Sequence, residues 1–317
     1  MGTGGAGRFA PSPSGDLHLG NLRTALLAWL FARASGRAAL LRVEDLDTPR
    51  SSRDCADRQI ADLAALGLEW DGPPVYQSDR RAAYDAAIDS LAAADLVYPC
   101  FCTRRDILQA PRAPHSPPGA YPGTCRDLPA DRVAELTAAL PLGRAPALRL
   151  RSDGRAVTVN DLLCGEHTGV VDDFVLLRGD GMVAYNLAVI VDDLAQGVDQ
   201  VLRADDLLTS APRQAYLASL LTGTDDGAWP AQWIHVPLAL GPDGKRLAKR
   251  HGAVTLSDLS ALGITPPQAL TLIAASLGLA APHEPVTPHQ LIARLVPSAL
   301  PTTPWTPGFL GRGGLVE

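Results

Sequence analysis

Leu22, Ala25, Leu26, Trp29 and Leu30 share one face at helical spacing, which predicts a helix from Asn21 onward with Gly36 as its C-terminal stop. Ahead of it, Gly7 to Ala10 reads as a short strand running into a Pro/Ser/Gly turn, Pro11 to Gly15. Behind it, Ala38 to Val43 is a compact apolar run bounded by charge, as expected of a buried strand. Strand, turn, helix and strand in that order make a parallel α/β unit. Further helices are predicted at about Arg53 to Leu66, where Gly67 ends the pattern, and at Asp79 to Ala94. Pro99 to Pro146 is rich in proline, arginine and cysteine and is expected to be an irregular insertion. Short strands follow at Leu148 to Arg151 and Val170 to Leu177, then a helix-like stretch, Ala184 to Asp193, and a strand near Gln200 to Arg203. Ser210 to Leu221 reads as helix and Trp233 to Leu240 as strand. After residue 256, helical patterns separated by prolines suggest a small appendage, and Pro301 to Gly314 reads as a loosely held tail. No internal repeat is visible.

Composition narrows the class. The 317 residues, 46% hydrophobic, suffice for one large core with a satellite or for two modest domains. No run of about 18 apolar residues occurs and no signal-like N-terminus precedes the first strand, so a cytoplasmic protein without a membrane span is expected. The net charge of −6 argues against a generally basic nucleic-acid coat and leaves RNA binding to local arginine patches. Five cysteines, an odd number, point away from a disulfide framework. Of 28 basic residues only Lys245 and Lys249 are lysines, four positions apart. A compact ammonium suits phosphate as a point charge, whereas arginine serves as a fork.

Three constellations carry candidate chemistry. In the first, Arg8 to Asn21, a strand end, a Gly/Pro turn and a helix start form an anion cradle. Helix N-terminal amides point outward, Gly20 permits close approach, and His18 can donate to a phosphate oxygen. The second, Gly244 to Gly252, sets Lys245, Arg246, Lys249, Arg250 and His251 between glycines and offers positive donors from another side. The third is Cys100-Phe101-Cys102 with Tyr121 and Cys125. Three thiolates in a loop-rich insertion suit a closed, structural tetrahedral zinc site, with His115, Tyr121 or water as fourth ligand.

His18-Leu19-Gly20-Asn21 resembles the HIGH signature of class I aminoacyl-tRNA synthetases, and Arg246 to Arg250 resembles their KMSKS signature. Asn21 stands in place of the second histidine and Ala248 in place of a serine. The flanks Arg8 to Pro13, Arg42 to Asp47 and Lys249 to Ala253 are similar to glutamyl-tRNA synthetases, and the likeness covers roughly residues 7 to 260. It implies an α/β, Rossmann-like parallel-sheet nucleotide-binding domain in two halves, residues 1–97 and 181–256. A zinc-binding insertion at 98–180 and a helical appendage with tail at 257–317 complete the layout. It implies glutamyl adenylate formation from L-glutamate and ATP with Mg²⁺. His18 and Lys249 are then catalytic, and His18, Gly20, Asn21, Lys245 and Lys249 hold ATP. Arg8, Ala10, Ser12, Glu44, Tyr185 and Arg203 match the glutamate-binding positions, two arginines facing two carboxylates. Glu44 has an alternative as a surface ion pair with Arg42 or Arg50.

About sixty residues follow residue 260, too few for an anticodon-reading domain. With Tyr98 to Asp106 and Tyr121 to Arg126, this resembles the short synthetase family that attaches glutamate to the queuosine base in the anticodon loop of tRNA(Asp). That family's zinc site favours Tyr121 as the fourth ligand, with one zinc per chain. The resemblance implies ATP, L-glutamate and queuosine-bearing tRNA(Asp) as partners, no DNA or membrane, and a monomer. A catalytic-half glutamyl-tRNA synthetase and a silent nucleotide- or RNA-binding paralogue are the other readings.

Overall fold

The computed structural model describes residues 4–109, 120–224, 229–247 and 255–308. Strand β1 (Ala6–Phe9), helix α1 (Leu19–Ala34) and strand β2 (Ala38–Val43) form the expected unit, with β1 and β2 parallel. α1 is apolar nearly all round, and it is buried accordingly: Leu22, Leu26, Trp29, Leu30 and Phe31 are all inside. Its N-terminus is closed by His18, whose Nδ1 accepts from the Asn21 amide at 3.1 Å while Asn21 Oδ1 accepts from the His18 amide at 3.3 Å. Its other end stops at Gly36, where φ is +71°.

After α2 (Arg53–Ala65), β3 (Val75–Tyr76) and α3 (Arg81–Ala93), the chain leaves the main layer. β4 (Val97–Cys100), β5 (Ala147–Leu150) and β8 (Val175–Leu177) make a small antiparallel sheet. Within the stretch expected to be irregular lie two helices, α4 (Arg104–Gln109) and α5 (Ala130–Ala138). α5 buries none of its residues.

β6 (Ala156–Asp161) and β7 (Gly165–Val170) form a hairpin that returns to the main sheet. β6 alternates exposed and buried positions, the pattern of a strand covered on one face. The single strand expected over Val170 to Leu177 is therefore two. They are parted where Asp173 turns inward to accept from Tyr98, Arg126 and Ser152. α6 (Tyr185–Ala195), β9 (Val198–Ala204), α7 (Ala211–Thr222) and β10 (Gln232–Val236) complete a seven-stranded sheet of order β3-β2-β1-β9-β10-β6-β7. β10 stops before Pro237, short of the expected Leu240, since proline offers the ladder no donor.

α8 (Leu256–Ala261), α9 (Pro266–Ser276) and α10 (Pro288–Ile292) follow. Leu259, Ile273 and Leu291 join Leu26, Trp29 and Leu30 in one continuous core against α1. Within the expected loose tail Trp305 is anchored, while residues 309–314 lie outside the described residues. The Trp305 amide donates to Leu238 O at 3.0 Å, Trp305 O accepts from Leu240 at 2.8 Å, and Arg23 lies over its ring.

Candidate functional site

The switch point of the sheet lies between β1 and β9, where the chain connections diverge, and ligands of open α/β sheets bind beyond the carboxyl ends of the strands there. Arg8 on β1 and Arg203 on β9 flank that point. A cleft of about 800 Å³ opens over it. Arg8, Ala10, Ser12, His18, Gly20, Asn21, Glu44, Tyr185, Arg203 and Lys245 line this one space, so every proposed substrate-binding residue that is described meets there. Lys249, Arg250 and His251 lie outside the described residues, as does His115.

One end of the cleft is a buried ionic cluster. Asp193 accepts from Arg8 Nε at 3.0 Å and from Arg42 Nη1 at 2.6 Å. Burial alone would raise the Asp193 carboxyl, but the two guanidinium groups outweigh it and hold it below the ordinary range. Glu44 accepts from Arg42 Nη2 at 3.3 Å. The anticipated Arg42 pair is thus present, yet it is internal, with Arg42 fully buried and Glu44 facing the cleft. Burial pushes Glu44 up despite Arg42 and Arg8. Such a carboxylate gains from an incoming ammonium.

Arg203 is held on every edge. Its Nε donates to His235 Nε2 at 3.0 Å, its Nη1 to Gln214 Oε1 at 2.6 Å and to the Tyr185 hydroxyl at 3.4 Å, and its Nη2 to Leu207 O at 3.2 Å. His235 is held in turn by Asp161 at 2.6 Å. β9 and β10 run in register with His235 beside Arg203, and β6 brings Asp161 beside Trp233. Arg8, by contrast, keeps Nη2 without a hydrogen-bond partner among the described residues. A fixed arginine and a partly open one beside a buried glutamate suit a small zwitterion with an additional carboxylate.

The other end suits phosphate. Because His18 Nδ1 accepts from the Asn21 amide, the neutral ring carries its proton on Nε2, which remains free to donate. Burial, aided by the Arg246 charge, lowers the His18 pKa to about 4, so the ring is neutral near pH 7. Asn21 spends its oxygen on the cap and retains its amide N–H groups. Gly20 is required for packing as well as for access: a Cβ there would meet Ala239 Cβ at 2.8 Å and the His18 ring at 3.1 Å. Arg246 ion-pairs with Asp206 at 3.0 Å, and Lys245 lies exposed on the same wall.

The third constellation also assembles. The sulfurs of Cys100, Cys102 and Cys125 lie within 4.8 Å of one another and could hold a metal ion. The Tyr121 hydroxyl stands 3.4 Å from Cys100 Sγ and 3.6 Å from Cys102 Sγ. Cys125 Sγ accepts from the Phe101 amide at 3.4 Å, a bond that supports a thiolate. Without a cation, burial pushes the Cys102 thiol up to about 12. The donors therefore fit a thiophilic divalent ion that lowers their proton affinity.

Sequence reasoning did not find Asp161, Asp193, Gln214 or His235. None belongs to a local motif: Asp161 and His235 are 74 positions apart, and Arg8 and Asp193 are 185 apart.

Residues 6–294 match the tRNA synthetases class I (E and Q), catalytic domain. A glutamyl-Q tRNA(Asp) synthetase of Nocardia farcinica is 60% identical over 314 residues, covering 99% of this chain and 96% of that relative. Another, from Symbiobacterium thermophilum, is 45% identical and covers 94% of each. A glutamate tRNA ligase of Elizabethkingia meningosepticum, solved in complex with its amino acid, is similar with a TM-score of 0.77 and 27% identity. That similarity spans 94% of this chain and 66% of the ligase.

Proposed function

The chain belongs to the glutamyl-Q tRNA(Asp) synthetases within the class I E and Q family, and on that premise we propose a role for each part of the cleft. The enzyme is an ATP-dependent ligase that activates L-glutamate and transfers it to queuosine in tRNA(Asp). The α-carboxylate of glutamate attacks the α-phosphorus of ATP, and pyrophosphate leaves with the bonding electrons. A nucleophile on the modified base then attacks the carbonyl carbon, and AMP departs. Nothing covalent to the protein is needed, so catalysis rests on alignment and on stabilising charge at the transferring phosphoryl group.

The observation that carries this reading is the convergence of Arg8, Glu44, Tyr185 and Arg203 at one end of the cleft that holds His18, Asn21 and Lys245 at the other. Glu44 takes the substrate ammonium, Arg8 and Arg203 divide the two carboxylates, and Ala10 and Ser12 supply the backbone and hydroxyl edge. His18 donates from Nε2 to phosphate oxygens, joined by Asn21, Lys245 and Lys249. Mg²⁺ bound with ATP would neutralise phosphate charge. Zinc held by Cys100, Cys102, Tyr121 and Cys125 would tie the insertion at 98–180 together and take no part in the chemistry. We read residues 257–317 as a helical appendage with a tail, and the enzyme as a cytoplasmic monomer.

The test is transfer of labelled glutamate, with ATP and Mg²⁺, onto tRNA(Asp) that carries or lacks queuosine. Label confined to queuosine-bearing tRNA is the expected result. Label at the 3′ end of queuosine-free tRNA would assign ordinary glutamyl-tRNA formation instead.

A further inference from the structure

Among the described residues the buried arginines are Arg8, Arg23, Arg42, Arg149 and Arg203. A guanidinium taken out of water needs partners for its charge and its N–H groups. Arg8 and Arg42 meet carboxylates, and Arg203 donates to His235, Tyr185, Gln214 and Leu207 O. Arg149 donates to Asp173 O at 2.7 Å and lies 3.7 Å from the centre of the Tyr121 ring. Arg23 is held least. It is 2% exposed, donates from Nη1 to Pro237 O at 3.1 Å, leaves Nε without a partner, and has the Trp305 ring only at 5.9 Å. No carboxylate among the described residues pairs with it. Burial, unopposed by a neighbouring charge, lowers its pKa to about 10, so the group stays charged at neutral pH.

Its acceptor marks the point where the chain leaves the sheet. β10 ends at Val236, and the segment after Pro237 folds back as a short hairpin. There the Leu247 amide donates to Ala239 O at 2.8 Å and the Gly241 amide to Lys245 O at 2.7 Å. The root of the hairpin is buried at Ala239 and Leu247, while Lys245 and Arg246 line the phosphate end of the cleft. The facing wall of that end is the start of α1, with His18 as cap and Gly20 and Asn21 in the first turn. Arg23 is one turn further along the same helix. Gly20 packs on Ala239, where a Cβ would come within 2.8 Å, and this sets how closely the two walls approach. Apolar packing is non-directional, however, whereas a hydrogen bond from a charged donor also fixes an angle. The bond from Arg23 to Pro237 O supplies that angle at the root of the hairpin.

We propose that Arg23 is a positioning residue for glutamate activation: through Pro237 O it holds the hairpin of Lys245 and Arg246 at the angle to His18 that the phosphates of ATP require. The inference rests on the functional reading above and adds a residue that does not itself line the cleft. Packing alone gives no reason for an arginine here. A charge buried without a counter-charge opposes folding, and an unbranched apolar side chain would fill the same space without that opposition. Removing the charge should therefore leave the fold intact and disturb the phosphate end of the cleft.

The experiment measures glutamate-dependent ATP–pyrophosphate exchange, melting temperature and amide hydrogen exchange in Arg23→Met and Arg23→Lys. Methionine removes the charge and the donors, whereas lysine keeps a charge and a donor for a site that uses a single bond. In Arg23→Met the kcat/KM for ATP should fall roughly 10- to 100-fold, the range for one hydrogen bond from a charged group. The glutamate KM should stay within about twofold of wild type, since the other end of the cleft is untouched. The melting temperature should be no lower than that of wild type, and hydrogen exchange should rise at Gly241 and Leu247 but not in α1. Arg23→Lys should recover most of the lost kcat/KM. An unchanged kcat/KM for ATP in Arg23→Met would overturn the inference. So would a parallel loss for ATP and glutamate with a lower melting temperature, the mark of general support, or a lysine variant as impaired as the methionine one. Absence of glutamate-dependent exchange in the wild-type chain would sink the functional reading itself, and that result is distinct from the others.

Discussion

The Nε–H of Arg203 donates to Nε2 of His235 across 3.0 Å, and His235 passes the constraint on to Asp161 through its other ring nitrogen. Arg203 can donate to His235 only if Nε2 is unprotonated, so Nδ1 carries the proton and gives it to the Asp161 carboxylate. Burial holds the His235 pKa low against the opposing pull of Asp161, which keeps that tautomer in place at neutral pH. The ring does not line the cleft; it sets the angle of the Arg203 guanidinium, which does.

His235→Ala should therefore act through glutamate. A hydrogen bond to a charged group contributes about 1.5–3 kcal/mol, so the glutamate KM should rise roughly 10- to 100-fold. The ATP KM and the kcat of pyrophosphate exchange should stay within about threefold of wild type. A variant whose ATP KM rises in parallel would show that His235 supports the whole cleft and not Arg203 alone.

The pH response of His18 is expected to depart from that of an ordinary histidine. Its folded pKa of about 4 lies below the unfolded value of 6.5, so the unfolded chain binds the extra proton first. The associated stability is complete above pH 6.5 and drains away as pH falls towards 4. The pyrophosphate-exchange rate should show no titration assignable to His18 near pH 6.5. NMR titration of the His18 ring is the direct check, and an inflection near 6.5 would contradict the buried, Asn21-bound imidazole.

Metal removal should loosen the insertion before the body. Chelation, or Cys125→Ser, is expected to strip one zinc per chain, lower the melting temperature and raise hydrogen exchange in β4 and around Tyr121, while the α1 core stays protected. Tyr121→Phe should retain the metal with weaker affinity, since three thiolates remain. Metal analysis after dialysis decides this, and a full zinc complement in Cys125→Ser would remove that cysteine from the ligand set.

Lys249→Ala should reduce pyrophosphate exchange by about 10²–10³, the usual loss when one preorganised donor to a developing charge is removed. The glutamate KM should change little. A variant that loses glutamate affinity instead would place that lysine at the other end of the cleft.

Trp305→Ala tests what the Trp305 side chain adds to the hold on the 238–247 segment. Trp305 brackets Leu238 and Leu240 just ahead of Lys245 and covers Arg23. Its loss should destabilise the chain by about 2–4 kcal/mol, allowing for partial exposure of the ring, and raise hydrogen exchange at Leu240 and Leu247. Unchanged exchange there would mean that the 238–247 segment is held without it.

What was legible in the sequence was whatever a short stretch encodes. The period of α1, its Gly36 stop, the β2 run and the spacing of the cysteines depend on neighbours within a few positions, and they stand where expected. The first signature, Arg8 and Glu44 each belong to a local motif and line the cleft, whereas Lys249 and Arg250 of the second signature lie outside the described residues. α4 and α5 were missed because they are short, 6 and 9 residues, and lie in a stretch dominated by proline, arginine and cysteine, and the hold on Trp305 was missed because a lone backbone bridge has no pattern. Partner choice across the sheet could not be read at all. That His235 stands beside Arg203 follows from the register of β9 and β10, and that Asp193 sits between Arg8 and Arg42 follows from how α6 lies on β1 and β2. Sequence alone determined which chemical groups the chain owns and the elements that carry them. Tertiary structure decided which groups neutralise one another and which arginines are left free for a ligand, because register and packing, not distance along the chain, set the separations over which charges and hydrogen bonds act.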